Sequence, residues 1–185
     1  MLQYGNIETV MGNVFVAYRH EGISVLAALA EGDFIRRCIR LRGIEPCRER
    51  HLPPEIETIV HDSLARDKVV LPASLNFQGM TAFQQAALCK LAEIPRGEVR
   101  TYGWIATHIG HQGASRAVGT AMALNPFPLL LPCHRVVKAD WTVGAYSGGP
   151  PGFKTRLLAA EGVHLASPTP SGALHTFGRK NKLHG

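Results

Sequence analysis

The segment 129–137 sets the hardest condition on any fold of this chain. It places Cys133, His134 and Arg135 in a row between two apolar runs, Leu129, Leu130 and Leu131 before them and Val136 and Val137 after. Apolar flanks draw a segment into the interior, and buried polar or charged groups are costly unless hydrogen-bonded or paired. The rest of the chain must therefore bring partners to these three side chains. A thiol is nucleophilic only as the thiolate, and adjacent positive charge or an imidazole lowers its pKa. A Cys beside a His in a water-poor pocket is thus a candidate activated nucleophile. Most buried Cys are inert, so a structural Cys beside a satisfied His is the plain alternative.

The chain has 185 residues, 45% of them hydrophobic, room for one ordinary domain or two small ones with a real core. It contains no run of about 18 apolar residues, so no membrane span is expected. The N-terminus lacks a basic stretch followed by an apolar one, so no signal peptide is expected. Four cysteines, Cys38, Cys47, Cys89 and Cys133, show no CxxC spacing and fit a reducing, cytoplasmic setting. Residues 1–70 carry nine Lys and Arg against ten Asp and Glu, whereas residues 71–165 carry eight against four. The basic excess thus accompanies Cys133, and a basic face recruits polyanions such as nucleic acid. A merely solvated surface of high pI is the alternative.

Residues 1–71 read as a small, variable α/β domain. Strands are expected at 13–18 and 23–29, and helices at 33–41, with Asp33 as N-cap, and 55–65. His20, His51, His61, Cys38 and Cys47 match no common zinc spacing, so no metal is expected. Residues 72–79, between Pro72 and Gly79, read as a linker.

Residues 80–165 read as mostly helical. Thr81 and Gln84 form a capping box before the apolar stripe Phe83, Ala87, Leu91 and Ile94, and Pro95 stops the helix. Thr101 is an N-cap for a helix to about Ile109, a turn follows at 110–113, and a second helix runs from Ser115 to Leu124. Two short helices across a Gly-containing turn make a helix-turn-helix. The second has small side chains apart from Arg116, which suits close approach to a backbone or a minor groove, or plain helix packing. Asn125 before Pro126 ends it, and Pro128 and Pro132 are expected to hold the approach to Cys133 extended. A turn is expected at 138–141 and a helix at 154–161. Glu161 at that helix's C-terminus opposes the macrodipole and so calls for a positive or hydrogen-bonding partner. Residues 166–185, with three Lys and Arg and no acid, read as a disordered basic tail.

Taken together, Pro132-Cys133-His134-Arg135-Val136, Asn125-Pro126 upstream, Tyr146-Ser147-Gly148-Gly149 downstream, Lys154 and the run 157–162 ending in Glu161-Gly162 carry a family resemblance. Over about residues 75–163 the chain resembles the O6-alkylguanine-DNA alkyltransferases, also called methylated-DNA-protein-cysteine methyltransferases. The resemblance implies direct, single-turnover transfer of an alkyl group from O6-alkylguanine in double-stranded DNA to Cys133, by a monomer and with no cofactor. O4-alkylthymine is a second candidate substrate. Glu161 would hold His134, which takes the thiol proton, and Tyr102 would press on the neighbouring phosphate and donate a proton to the leaving guanine. Asn125 would pin the turn beside the Cys. The second helix would lie in the minor groove through Ala117, Gly119 and Thr120, with Arg116 filling the gap left by the flipped base. Pro132, Val136, Tyr146, Ser147 and Lys154 would line the pocket. Family members usually have Gly where Trp141 stands, and the stretch 149–154 is about one residue longer than usual. The fold expected is an α/β N-terminal region plus a mostly α-helical C-terminal domain with a helix-turn-helix, α+β overall. Two other classes stay open: a damage-binding module that transfers nothing, and a cysteine hydrolase that ignores DNA.

Overall fold

Side-chain alternation decides how the first part of the chain folds. In a strand, successive residues face opposite sides, and here both sides are apolar. The structure, a computed structural model, describes residues 1–9, 12–66 and 72–165; the tail expected at 166–185 lies outside them. Strands β1 (Gln3–Thr9), β2 (Gly12–Arg19), β3 (Gly22–Ala27) and β4 (Cys47–Arg48) form one sheet in the order β3-β2-β1-β4. The first three pair antiparallel and β4 joins β1 in parallel. The expected strands are β2 and β3. β1 was not foreseen, because Gly5, Asn6 and Glu8 dilute its apolar pattern.

Phe15 and Ala17 face one way and pack with Phe34 and Cys38 of helix α1 (Glu31–Arg42). Val14, Val16 and Tyr18 face the other way, into a core shared with the second half of the chain. α1 starts earlier than expected. Its N-cap is Ala30, which makes no side-chain capping bond. Asp33 lies instead inside the first turn, where an acid suits the helix dipole, and pairs with Arg36 at 2.6 Å. Helix α2 (Pro54–Arg66) buries Ile56 and Val60. Residues 72–79, read as a linker, lie against the sheet: Leu75 bridges Ile23, and the Asn76 N–H donates to the Ile23 carbonyl at 2.7 Å.

The second half adds helices α3 (Ala82–Lys90), α4 (Tyr102–His108), α5 (Ser115–Ala123) and α6 (Phe153–Ala160). Both expected caps are present. Thr81 and Gln84 make the reciprocal capping box of α3, and the Thr101 hydroxyl accepts from the Trp104 N–H at the start of α4. α4 and α5 pack as a helix-turn-helix, with Val118, Ala121 and Met122 of α5 buried. Among the described residues, no helix is long and apolar enough to cross a membrane.

Candidate active site

Backbone pairing brings the site together. The short strands β5 (Arg100–Thr101) and β6 (Val136–Val137) run parallel, with Arg100 opposite Val136. That pairing sets Tyr102, the first residue of α4, beside the segment that carries Cys133. The approach to Cys133 is not the extended run expected from Pro128 and Pro132. Residues 128–130 form a turn, the Leu131 N–H donates to Phe127 O at 2.9 Å, and Leu129 takes φ +80°. Proline fixes only its own φ and disfavours helix in the residue before it, so it left Leu129 free to reverse the chain. Cys133, His134 and Arg135 then make one 3-10 turn, all buried.

Asn125 organises this bend. It is fully buried; its Oδ1 accepts from the Phe127 N–H at 2.9 Å and its Nδ2 donates to Leu131 O at 3.3 Å. Its amide also favours the Cys133 thiolate. Burial pushes the Cys133 thiol up, while the Asn125 bond and the charges of Lys154 and Arg37 pull the other way. The resting group is therefore the thiol, which needs a base to become a nucleophile.

His134 is 4% exposed, and its Nε2 lies 2.9 Å from Glu161 Oε1. The other ring nitrogen, Nδ1, is buried without a hydrogen-bond partner among the described residues. With the Nε2 proton directed at the carboxylate, Nδ1 carries a lone pair. Burial lowers the His134 pKa more than Glu161 raises it, so the ring is held neutral. Glu161 caps the C-terminus of α6, and the partner its position called for is present twice: Arg135 donates to it from Nε at 3.0 Å and from a terminal nitrogen at 2.9 Å. Arg135 also bonds the Ile94 carbonyl at 2.7 Å.

Lys154 is 3% exposed, and its ammonium donates to Val136 O at 2.6 Å. Burial lowers its pKa to about 8, against the pull of Cys133. Gly152, two residues before it, takes φ +76° as the N-cap of α6. Tyr102 sits 5.9 Å from the Lys154 ammonium, and burial and then Cys133 raise its phenol pKa. A side chain on Gly144 would come within 2.8 Å of the Tyr102 hydroxyl, so glycine there admits the tyrosine. Tyr146 meets the His134 ring edge-on at 6.5 Å, and its hydroxyl is buried without a partner among the described residues. A side chain on Gly148 would meet Pro128 at 2.4 Å, which explains the glycine after Ser147. Pro132 and Val136 are buried in the same segment. The Val136 and Cys133 carbonyls accept from Lys154 and the Val136 N–H, leaving each one lone pair.

Arg116, Ala117 and Thr120 are exposed and Gly119 half-exposed on α5, opposite its buried face. Trp141 has φ +61°, the left-handed region that favours glycine. Its ring packs on Val99, Val137, Leu158 and Val163, which gives this aromatic a place. Among the described residues, no group of three or more His, Cys, Asp or Glu is placed to hold a metal ion.

Residues 82–163 match the family described as 6-O-methylguanine DNA methyltransferase, DNA binding domain. A rat methylated-DNA–protein-cysteine methyltransferase is 39% identical over 120 residues, 63% of this chain and 57% of that protein. The chain thus spans little more than half the length of the curated relatives it matches first. The solved O6-methylguanine-DNA methyltransferase of Pyrococcus kodakaraensis is 30% identical, with TM-score 0.69 over 88% of this chain and 100% of that one. The chain belongs to the O6-alkylguanine-DNA alkyltransferase family. Mycobacterium tuberculosis OGT, solved in complex with DNA, is 28% identical with TM-score 0.67, covering 86% of this chain and 93% of that one. These structures share the mixed architecture, a β-containing N-terminal region followed by a helical part.

For a member of this family, what sequence reading missed lies in the N-terminal half. Arg37 of α1 is 4% exposed and donates to Asn125 O at 2.6 Å and to Ser147 O at 2.8 Å. The edge strand β3 adds two bonds, from Leu26 N–H to Pro126 O and from Ala28 N–H, just beyond it, to Gly148 O. α1 and the sheet thus tie down the backbone at Asn125 and Pro126 and at Ser147 and Gly148. One signal was available: Arg37 falls three residues after Phe34 and one before Cys38, on the apolar face of the helical repeat.

Proposed function

We propose that this protein transfers the alkyl group of O6-alkylguanine in double-stranded DNA to Cys133. The observation that carries the proposal is the buried Cys133 beside a neutral His134, whose Nε2 is held by Glu161 and whose Nδ1 is left to accept a proton. This is triad logic applied to a thiol.

α5 enters the minor groove through Ala117, Gly119 and Thr120, and Arg116 fills the gap as the damaged base turns out. Extrusion costs a few kcal/mol, and an inserted side chain offsets part of it. The base enters between Tyr146 and the Pro132–Val136 segment, where the Ser147 N–H faces O6. The Ser147 N–H donates to no described residue, so it is available for this. His134 takes the thiol proton at Nδ1, directly or through one water. The sulfur attacks the alkyl carbon, a C–S bond forms, and the bond to O6 breaks with its electron pair left on guanine. Tyr102 gives guanine a proton at N3, and the proton on His134 returns through solvent to restore the phenol. Lys154 lowers the cost of the thiolate. All of these groups lie on one chain, which supports a monomer as the active species. The four free cysteines fit a reducing compartment such as the cytoplasm.

Mixing the protein with duplex DNA containing O6-methylguanine, followed by intact-mass and peptide analysis, tests this. The expected result is a gain of one methyl group, located on Cys133 and absent in Cys133→Ser. Methylation at Cys38, Cys47 or Cys89 would reject the assignment. Release of the alkyl group into solution would favour a hydrolase.

A further inference from the structure

The site above leaves one charged feature of the N-terminal half unused. Between α1 and the loop that carries Ser147 lies a cleft of about 430 Å3, lined by Leu29, Asp33, Arg36, Arg37, Arg40 and Ser147. Three arginines against one aspartate give it a net positive wall. Arg40 is exposed and makes no hydrogen bond or ion pair with any described residue. Arg36 is exposed and held by Asp33 at 2.6 Å through one terminal nitrogen, which leaves its other donors to the cleft. Arg37 forms the floor: its terminal nitrogens are committed to Asn125 O and Ser147 O, while its Nε is buried with no partner among the described residues. The helix dipole accounts for basic residues in the last turn of α1, Arg40 and Arg42. It does not account for Arg36 and Arg37 one turn earlier, nor for a buried guanidinium with an unused donor.

The position of the cleft narrows what it holds. It shares Ser147 with the proposed base pocket. Arg40 also lines a second, smaller hollow of about 180 Å3 that contains Leu124 and Pro126, the C-terminal end of α5. The arginine wall is therefore continuous with the end of α5, while Arg116 stands at its start. At 1.5 Å per residue the two ends are roughly 12 Å apart, a few nucleotide steps at about 3.4 Å each along a strand. Arg36 and Arg40 are one turn apart on one face, about 5–6 Å between their β-carbons. Guanidinium groups bind phosphate oxygens through paired N–H donors.

We propose that this cleft binds a phosphodiester group of the DNA backbone, making α1 a second anchor beside α5. The inference rests on the DNA function proposed above. Because Arg37 on the floor of the cleft bonds the carbonyl of Ser147, which the base pocket shares, a phosphate held there also steadies the pocket wall.

The test is the affinity of the full chain for undamaged duplex DNA across a range of salt concentrations, for wild type, Arg40→Ala, Arg36→Ala/Arg40→Ala and Arg116→Ala. Each lost phosphate contact should flatten the slope of log K against log salt by about 0.9. The expected result is a flatter slope and several-fold weaker binding for Arg40→Ala, and more so for the double variant. Wild-type slope and affinity in both α1 variants, with Arg116→Ala weakened, would overturn this inference alone. A wild-type protein that did not bind DNA would overturn the proposed function and this inference with it. Titration with inorganic phosphate at constant ionic strength should give no saturable binding. Saturation that Arg40→Ala abolished would instead mark a free-anion site and overturn the DNA assignment.

Discussion

The Glu161 carboxylate takes a bond from His134 Nε2 at 2.9 Å and is shared with the next residue, Arg135, whose Nε lies 3.0 Å from it. Burial alone would raise the Glu161 pKa, but the bonds and charges of His134 and Arg135 outweigh it and hold the carboxyl at about 2, against an ordinary 4.5. The folded-state value is depressed, so the stability this group contributes is fully present above about pH 4.5 and is lost as pH falls towards 2. Glu161→Gln should flatten the acid limb of a stability-against-pH curve in that window, measured by denaturant unfolding. It should also slow transfer, because the amide no longer favours the tautomer that leaves Nδ1 free.

His134 is the group expected to set the pH dependence of the proposed reaction. Burial lowers its pKa below the ordinary 6.5, and only the neutral ring accepts the thiol proton. Single-turnover transfer from free O6-benzylguanine should therefore hold steady as pH falls from 8 to about 6.5 and decline only below that. A decline centred above pH 7 would mean that another group is the base.

Lys154 is asked to do two things, to satisfy Val136 O and to place a positive charge near Cys133. Lys154→Met keeps much of the volume and removes both. The unsatisfied carbonyl should cost about 1–3 kcal/mol, seen as a lower Tm. Loss of the charge should shift the pH dependence of thiol alkylation by a small reagent upwards. A lower Tm without that shift would leave Lys154 a structural role only.

Arg116 carries the base-extrusion argument. It is exposed on α5, so Arg116→Ala should fold normally. Repair in duplex DNA should fall about tenfold or more, the equivalent of about 1.4 kcal/mol, while reaction with free O6-benzylguanine falls far less, because a free base needs no extrusion. Equal losses on both substrates would contradict a wedge.

Local signals were legible, and non-local ones were not. The Thr81 capping box, the Thr101 cap and the Asn125-Pro126 stop rest on neighbouring residues, and each stands where expected. The need of Glu161 for a partner followed from the helix dipole alone. The turn at Leu129 did not follow, since nothing in three leucines favours φ +80°. Asp33 was mistaken for a cap because Ala30, the true one, has no side chain with which to announce it. Arg37 went unread, since its burial depends on Asn125 and Ser147, 88 and 110 residues away in the chain. Trp141 in a left-handed conformation is explained by the packing beneath its ring, which only the fold supplies.

On the proposed mechanism Cys133 accepts one alkyl group and keeps it. The product is a thioether, with no acyl carbon for water to attack. No second cysteine stands near Cys133 in the chain to take the group over. Added bulk in a pocket walled by Pro132, Val136 and Tyr146 should cost about 1–3 kcal/mol, so the alkylated protein should melt at a lower temperature. The direct measurement is a titration of the protein with excess DNA containing O6-methylguanine, counting methyl groups transferred per chain. The expected result is a plateau at one, all of it on Cys133. Continued turnover beyond one equivalent would contradict it.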